Sequence, residues 1–488
     1  MNHRSYADVE TAITSNLGRL LCKNQIAKDV DLYEQGADDL TLYRLLNKLQ
    51  QQFPTLHLSW HDLQANRTIA SLSQFIRSSN AISAASSKQT IQEQFLLADS
   101  AARLKLMQEY VQKEYGRLPN NSEQNMTQEA NQHQSFMNLA WALKRDFNFP
   151  IYKQELQTFT LTTEIAAYIC TELELHLGLR PRIKSTPNKI NQPEILKSTT
   201  HAAAKTENKV KNVVFILSAP RSGSTLLRLM LAGHSQLFCP PELNLLHYDQ
   251  LSNWIINRLK RFPQSTHIIQ NLMTLMGFAP DEVQYFLDHP EEAKIPIATI
   301  YAQLKKSTQK PTIVDKTPGY AKYLATLQQA ETLFHQAQYI HLVRHPYAVI
   351  DSFVHHRFHK LLDTDQDNPY LSAENVWTQR NRNILALKEQ VESKRYYLLQ
   401  YEHLVAHPRE TMASICRFLR LSFTENLLNP YGICRHINGP GDYDILQHDI
   451  IDPLLSEKWK NIKLPYPLQP ETIAIAKILQ YELPMVGN

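Results

Sequence analysis

Cysteine is scarce in this 488-residue chain and follows no pattern: Cys22, Cys170, Cys239, Cys416 and Cys434 show no C-x-x-C spacing. Scattered thiols argue against a disulfide framework or a Cys-based zinc site, and are expected to be reduced in a cytosolic protein. Long apolar runs are absent, so no segment is expected to span a bilayer. The polar start, Met1 to Glu10, lacks the apolar core of a signal peptide, and a cytoplasmic location is the expectation. Charge of one sign is lacking too. The 51 Lys and Arg against 47 Asp and Glu leave a net +4, which gives no reason to expect a nucleic-acid or membrane partner. There are 20 histidines but no H-E-x-x-H pattern, so no metal is expected.

What is present divides into helical and α/β parts. Residues 1–80 read as a small helical unit. Val9, Ile13, Leu17, Leu20 and Leu21 form one helical stripe; Leu40, Leu45, Leu46, Leu49 and Phe53 form another. Between the stripes, the segment ending Gly36-Ala37-Asp38-Asp39-Leu40 resembles the Gly-x-Asp-Ser-Leu start of the second helix in acyl or peptidyl carrier domains. In those domains the Ser carries the phosphopantetheine arm; here Asp39 stands in its place, and a carboxylate cannot form that phosphodiester. Residues 78–91, rich in Ser, Ala, Asn and Gln, read as a linker. Residues 92–180 resemble a second, degenerate carrier-like domain, with a helix expected from Leu161 to Leu175. There His133 falls at the attachment position, and Ser135 lies two residues away as a candidate site, or else in a polar loop before a helix. The stretch 181–212, rich in Pro, Lys, Thr and Asn, reads as a tether.

From residue 213 to 488 the pattern is α/β. Val213–Leu217, Thr312–Val314, Tyr339–Val343 and Tyr396–Leu399 are short apolar runs expected to be parallel strands, followed by Arg221, Lys316, Arg344 and Tyr401. In open parallel sheets ligands bind just outside the carboxyl ends of the strands, so these polar residues are placed to meet one. The first run leads into Ser218-Ala-Pro-Arg-Ser-Gly-Ser-Thr225, after which Leu226, Leu227, Met230 and Leu231 repeat at helical spacing. A strand, a Gly-containing turn and a helix N-terminus make an anion cradle, because the first amides of the helix lack partners and the macrodipole favours negative charge. A Ser/Thr-capped helix after an ordinary turn is the plainer reading of this motif taken alone.

The turn is not a Walker A loop, since the Gly-Lys-Ser/Thr ending is missing. It resembles the 5′-phosphosulfate loop of sulfotransferases, which use 3′-phosphoadenosine-5′-phosphosulfate (PAPS). A second block, Tyr339-Ile-His-Leu-Val-Arg344-His-Pro-Tyr-Ala-Val-Ile-Asp-Ser352, resembles that family's 3′-phosphate motif. Further matches are Cys239-Pro-Pro-Glu242-Leu-Asn-Leu-Leu246, Val314-Asp-Lys-Thr-Pro-Gly-Tyr320 and, near the C-terminus, Gly441 to His448 and Ser456-Glu-Lys-Trp459. Together these blocks look most like the sulfotransferase domains of olefin synthases and curacin-type polyketide synthases, systems of secondary metabolism.

The resemblance implies a P-loop-like parallel-sheet domain, preceded by small all-α carrier-like domains, that moves a sulfonate from PAPS to a hydroxyl and leaves 3′-phosphoadenosine-5′-phosphate (PAP). It assigns Glu242 as general base, and Arg221 and Lys316 to the phosphosulfate and the departing oxygen. Ser222, Gly223, Ser224 and Thr225 belong to the cradle, Arg344 and Ser352 to the 3′-phosphate. Tyr401 and Lys458 match cofactor-contacting positions of the tyrosylprotein branch. His247 and His448 are the next candidates for the base. In the resembling synthases the acceptor is a β-hydroxyacyl chain on a carrier; here it is expected on a separate carrier protein, or as a free small molecule. A tyrosylprotein-type enzyme and a non-catalytic docking protein of a polyketide or fatty-acid synthase are the other readings.

Overall fold

The computed structural model describes residues 9–21, 23, 25–37, 39–53, 58, 60–83, 90–115, 128–156, 159, 161–179, 209–261, 266–362, 368–431 and 450–484. The chain forms two compact units: Met1–Ile183 with Lys360–Asp363, and Lys184–His359 with Thr364–Asn488.

In the first unit, the helices Val9–Leu21, Asp39–Gln52, Trp60–Ala65 and Ile69–Ser83 bury most of the described members of the expected stripes. Val9, Ile13 and Leu17 from the first, Leu42, Leu45 and Leu49 from the second, and Ile69, Leu72 and Ile76 from the last are all inaccessible to solvent. Gln35 ties down the loop between the first two helices: its Oε1 accepts from Ala27 N at 2.8 Å, and its Nε2 donates to the carbonyls of Ala27 and Val30. The helix Asp39–Gln52 opens at the residue aligned with the carrier attachment serine. The last of these helices runs to Ser83, into the stretch read as a linker, because no Pro or Gly between Ser78 and Ser83 stops it.

A further set of helices, Ile91–Leu97, Ser100–Tyr115, Gln128–Phe147 and Thr162–His176, packs around Phe95, Met107, Val111, Leu143, Phe147, Ile165 and Leu173. The first begins with a reciprocal cap, Thr90 accepting from Glu93 N while the Glu93 carboxylate accepts from Thr90 N. Ser135 lies within the long helix, buried at 6% exposure, rather than in a loop before it. His133 falls in the same helix.

Among the described residues, the second unit has seven strands: β1 Val210–Lys211, β2 Val213–Leu217, β3 Leu237–Phe238, β4 Thr312–Lys316, β5 Phe334–His335, β6 Gln338–Val343 and β7 Tyr396–Gln400. Five form one parallel sheet in the order β3-β4-β2-β6-β7, and β1 pairs with β5. The two-residue strand β1 thus closes the stretch read as a tether. All five residues of β2 are buried. Val213, Phe215 and Leu217 join one core with Trp254, Tyr301, Tyr320 and Tyr339; Val214 and Ile216 join another with Leu227, Met230, Ile340 and Met412. Alternate residues face opposite sides of a strand, so a continuous apolar run marks a strand covered by helices on both faces.

Two features of the five-stranded sheet depart from the sequence reading. The edge strand β3 was not expected, since two residues carry no periodicity. And β4 does not stop at Val314 but continues through Asp315 and Lys316, paired with Phe215 and Ile216 of β2. A charged pair inside a buried strand is tolerated only when both groups find partners. These two do.

Candidate active site

The sheet order puts β4 on one side of β2 and β6 on the other, so the loops leaving β2, β4 and β6 converge where the chain changes direction. The loop after β2 turns twice through the left-handed region, at Arg221 (φ 67°) and at Gly223 (φ 88°), before the helix Ser224–Ala232 begins. At Gly223 only glycine fits, because a Cβ would lie 2.3 Å from Cδ2 of Tyr401. Gly223 caps this helix without a side-chain hydrogen bond. The amides of its first turn therefore stand at the head of the dipole without a capping side chain. Ser222 is 1% exposed and its Oγ has no hydrogen-bond partner.

Lys316, the last residue of β4, is 2% exposed and reaches the same helix end. Its Nζ donates to Glu242 Oε1 at 2.6 Å and to Thr225 Oγ1 at 3.3 Å. Glu242 sits in the turn after β3, its side chain 37% exposed and its carbonyl held by Arg258 Nη2 at 3.3 Å. Arg258 in turn lies over the ring of Trp254, whose Nε1 donates to Leu243 O at 2.8 Å. One cluster therefore joins Thr225, Glu242 and Lys316.

A second cluster forms on the other side of β2. Arg221 Nε donates to Ser352 Oγ at 3.1 Å, and Arg344 Nη1 donates to Arg221 O at 3.0 Å. The Arg344 guanidinium lies 4.5 Å from the centre of the Tyr401 ring, and its Nε is buried without a hydrogen-bond partner. Arg221 therefore groups with Arg344, Ser352 and Tyr401. Pro346 opens the helix Pro346–His355 that carries Ser352.

The backbone around Arg344 is fixed from several directions. Trp377 Nε1 donates to Arg344 O at 3.0 Å, and His345 N donates to Glu402 Oε1 at 2.9 Å. The other Glu402 oxygen accepts from Tyr481 OH at 2.8 Å. Burial raises the Glu402 carboxyl above its ordinary value. Burial pushes the His345 imidazole down to about 4, so it is neutral at physiological pH. Its Nδ1 accepts from Tyr347 N while Nε2 donates to Glu482 O. Trp459 stacks on the His345 ring at 4.0 Å and 10°. Lys458 is exposed in the turn Lys458–Asn461, which that stack holds beside the Arg344 loop.

His247 is half-buried, with its ring 5.2 Å from that of Tyr320. His448 and the block from Gly441 lie outside the described residues. Glu402 and Trp377 carry no sequence signal, because they act through the backbone of residues 344 and 345, which no local motif announces; Trp459, within the C-terminal block, acts instead through its stack on the His345 ring. Among the described residues, no group of three or more His, Cys, Asp or Glu is placed to hold a metal ion, and no helix is long and apolar enough to cross a membrane.

Two families match this chain: the sulfotransferase family over residues 213–425, and the phosphopantetheine attachment site over residues 11–76. The sulfotransferase domain of the Synechococcus PCC 7002 olefin synthase is 43% identical, the match covering 57% of this chain and 97% of that one, with a TM-score of 0.49. The sulfotransferase domain from the curacin biosynthetic pathway is 38% identical over 57% of this chain and 100% of that one, with the same TM-score of 0.49. Protein-tyrosine sulfotransferase A of Caenorhabditis elegans is 25% identical over 230 residues, 46% of this chain and 53% of that protein. The chain spans about half or less of the length of the first curated relatives it matches.

Proposed function

The chain belongs to the sulfotransferase family through residues 213–425, and on that premise we propose that it transfers the sulfonate of PAPS to a hydroxyl, with Glu242 as general base. The observation that carries this reading is the 2.6 Å contact between Lys316 and Glu242, beside Thr225 at an open helix N-terminus. The pair places a carboxylate able to take a proton and an ammonium able to meet a departing oxygen at one anion cradle.

The donor suits the residues present. Ser222 Oγ and Arg344 Nε are buried and unsatisfied, which is costly unless a ligand supplies acceptors. Arg344, Ser352 and Arg221 would hold the 3′-phosphate, Arg being the residue whose fork meets two phosphate oxygens and stays charged. Tyr401 would support Arg344 from beneath, and Lys458 would close on the cofactor from its exposed turn. The amides of residues 222–225 and Lys316 would hold the phosphosulfate. In the step itself, the acceptor oxygen bonds to sulfur as the bond from sulfur to the 5′-phosphate oxygen breaks. The acceptor proton passes to Glu242, Lys316 meets the charge on the departing oxygen, and PAP is released. Catalysis of this kind rests on positioning and electrostatic stabilisation.

The acceptor we favour is a β-hydroxyacyl chain on a separate carrier protein, in the cytoplasm. Two features support it: the identity with sulfotransferase domains of an olefin synthase and the curacin pathway, and the carrier-type domain at residues 11–76. Asp39 makes that domain itself unable to hold the arm. Intact-mass measurement of β-hydroxyacyl carriers after incubation with PAPS tests the proposal, a gain of one sulfonate being the expected result. Glu242→Gln keeps size but not basicity, so kcat should fall about 10²–10⁴-fold with PAP affinity nearly unchanged. A wild-type rate in that variant refutes the base, and absence of PAP binding refutes the donor.

A further inference from the structure

Lys316 has a neighbour that the proposed chemistry does not use. Asp315 is fully buried, and successive residues of a strand face opposite sides of the sheet, so it points away from the phosphate loop while Lys316 points towards it. Its carboxylate is surrounded by hydroxyls: Oδ2 accepts from Tyr301 OH and, at 2.9 Å, from Tyr320 OH; Oδ1 accepts from Thr317 Oγ1 at 3.0 Å. Burial pushes the carboxyl up to about 6, with the three hydroxyl hydrogen bonds opposing that rise, which leaves it ionised at neutral pH.

Two of those hydroxyls continue the chain of contacts. Tyr320 OH accepts from Leu245 N at 2.9 Å and from Leu246 N at 3.4 Å; Thr317 Oγ1 accepts from Asn244 N at 3.4 Å. These amides belong to the turn that carries Glu242. Its carbonyl side is pinned separately, by Arg258 on Glu242 O and Trp254 on Leu243 O. Asn244 within the turn is left-handed, at φ 55°.

We propose that Asp315 is the positioning residue of the candidate base: by fixing which way the Tyr320 and Thr317 hydroxyls point, it sets the backbone from which Glu242 is presented. This rests on the reading of Glu242 as base. The physical basis is proton direction. A hydroxyl has one proton, and an ionised carboxylate is an acceptor only. With Asp315 taking both protons, the hydroxyl oxygens turn their lone pairs to Asn244, Leu245 and Leu246. An Asn at 315 must donate through its Nδ2, so one hydroxyl has to accept from it and re-aim its own proton. An amide of the turn then loses its acceptor in a dry site. A displacement of about 1 Å at a reacting group costs on the order of 10² in rate, so a small shift of this turn reads out as lost turnover.

The test uses Asp315→Asn and Tyr320→Phe, each alone and combined with Glu242→Gln. PAP release from PAPS is followed with a 3-hydroxyacyl pantetheine thioester as acceptor, PAP affinity by calorimetry, and the turn by amide hydrogen exchange. Each single variant is expected to lower kcat by about 10- to 100-fold, leave PAP affinity within about twofold, and raise exchange at residues 244–246. In the Glu242→Gln background the second substitution should cost nothing more, because a misplaced base that is already absent has no further effect. Effects that multiply in the double variants, PAP affinity falling in step with kcat, or unchanged exchange at residues 244–246 would overturn the proposal. Tyr320→Phe removes the acceptor for Leu245 N and Leu246 N and one donor to Asp315 while keeping the carboxylate itself, so it decides the matter if Asp315→Asn does not fold. Loss of rate in Glu242→Gln without loss in either single variant rejects the positioning role alone. A full rate in Glu242→Gln rejects both readings.

Discussion

The ring of Tyr401 occupies the space in which a side chain on residue 223 would begin, its Cδ2 lying 2.3 Å from where that Cβ would stand. The same ring supports the Arg344 guanidinium at 4.5 Å. One aromatic therefore couples the loop after β2 to the loop after β6.

Gly223→Ala should for that reason act on anion binding through Tyr401. An Ala in the left-handed region costs roughly 1–2 kcal/mol by itself, and the ring must also move. PAP affinity is expected to fall about tenfold or more, that is by at least ~1.4 kcal/mol. In a Tyr401→Ala background the further loss should shrink, since the clash is gone. Calorimetry on the four proteins gives the cycle, and additive losses would separate the two residues.

Arg344→Ala should weaken PAP binding by roughly 2–4 kcal/mol, the range for removing a charge-assisted contact and leaving its partner charge unmatched. Calorimetry on the folded variant measures it; wild-type affinity would remove Arg344 from the proposed 3′-phosphate site.

The carrier-type domain should stay unloaded. Incubation with a phosphopantetheinyl transferase and coenzyme A is expected to leave residues 1–80 at their original mass, because Asp39 stands where the serine should be. The same experiment reads Ser135, whose burial within a helix predicts no modification. A gain of one arm on either peptide would reverse that expectation.

Stability should fall in mild acid. Burial pushes both His341 and His345 down to about 4 from 6.5, so the unfolded chain takes up their protons first. Their contribution is present above pH 6.5 and is lost as pH falls towards 4. Asp315, raised from 3.8 to about 6, works the other way: its contribution is present at low pH and lost as pH rises through 6. Two protons against one leave a net uptake of about one on unfolding from these groups between pH 6 and 4, or ~1.4 kcal/mol per pH unit. Urea titrations across that range should show a shallower slope in His345→Gln than in the natural chain.

Arg380 sets up a different stability test. It is 5% exposed, its Nη1 donates to Gln379 Oε1 at 3.0 Å, and its Nε has no partner. Burial pushes the guanidinium down to about 10. Among the described residues no carboxylate pairs with it, and replacing buried charged groups with well-packed apolar side chains is often neutral or stabilising by about 1–4 kcal/mol. Arg380→Met should therefore unfold at equal or higher urea concentration, and a clear loss of stability would contradict this account.

The parts of the fold whose signals are local are legible in the chain. Val213–Leu217 reads as a buried strand because both faces are apolar, and the turn at Pro220 and Gly223 reads as a helix-capped anion cradle because so few residues tolerate that backbone. The helical stripes of the first unit follow from the 3.6-residue period alone. The rest depends on residues far apart in the chain. That Arg221 turns to Ser352, 131 positions away, and Lys316 to Glu242, 74 positions away, is set by the order of the strands, which no motif spells out. Asp315 shows the same limit most plainly. In sequence it ends the apolar run of β4, whereas in the fold three hydroxyls make its charge bearable, and burial among partners drawn from other elements is what joins it to the turn bearing Glu242.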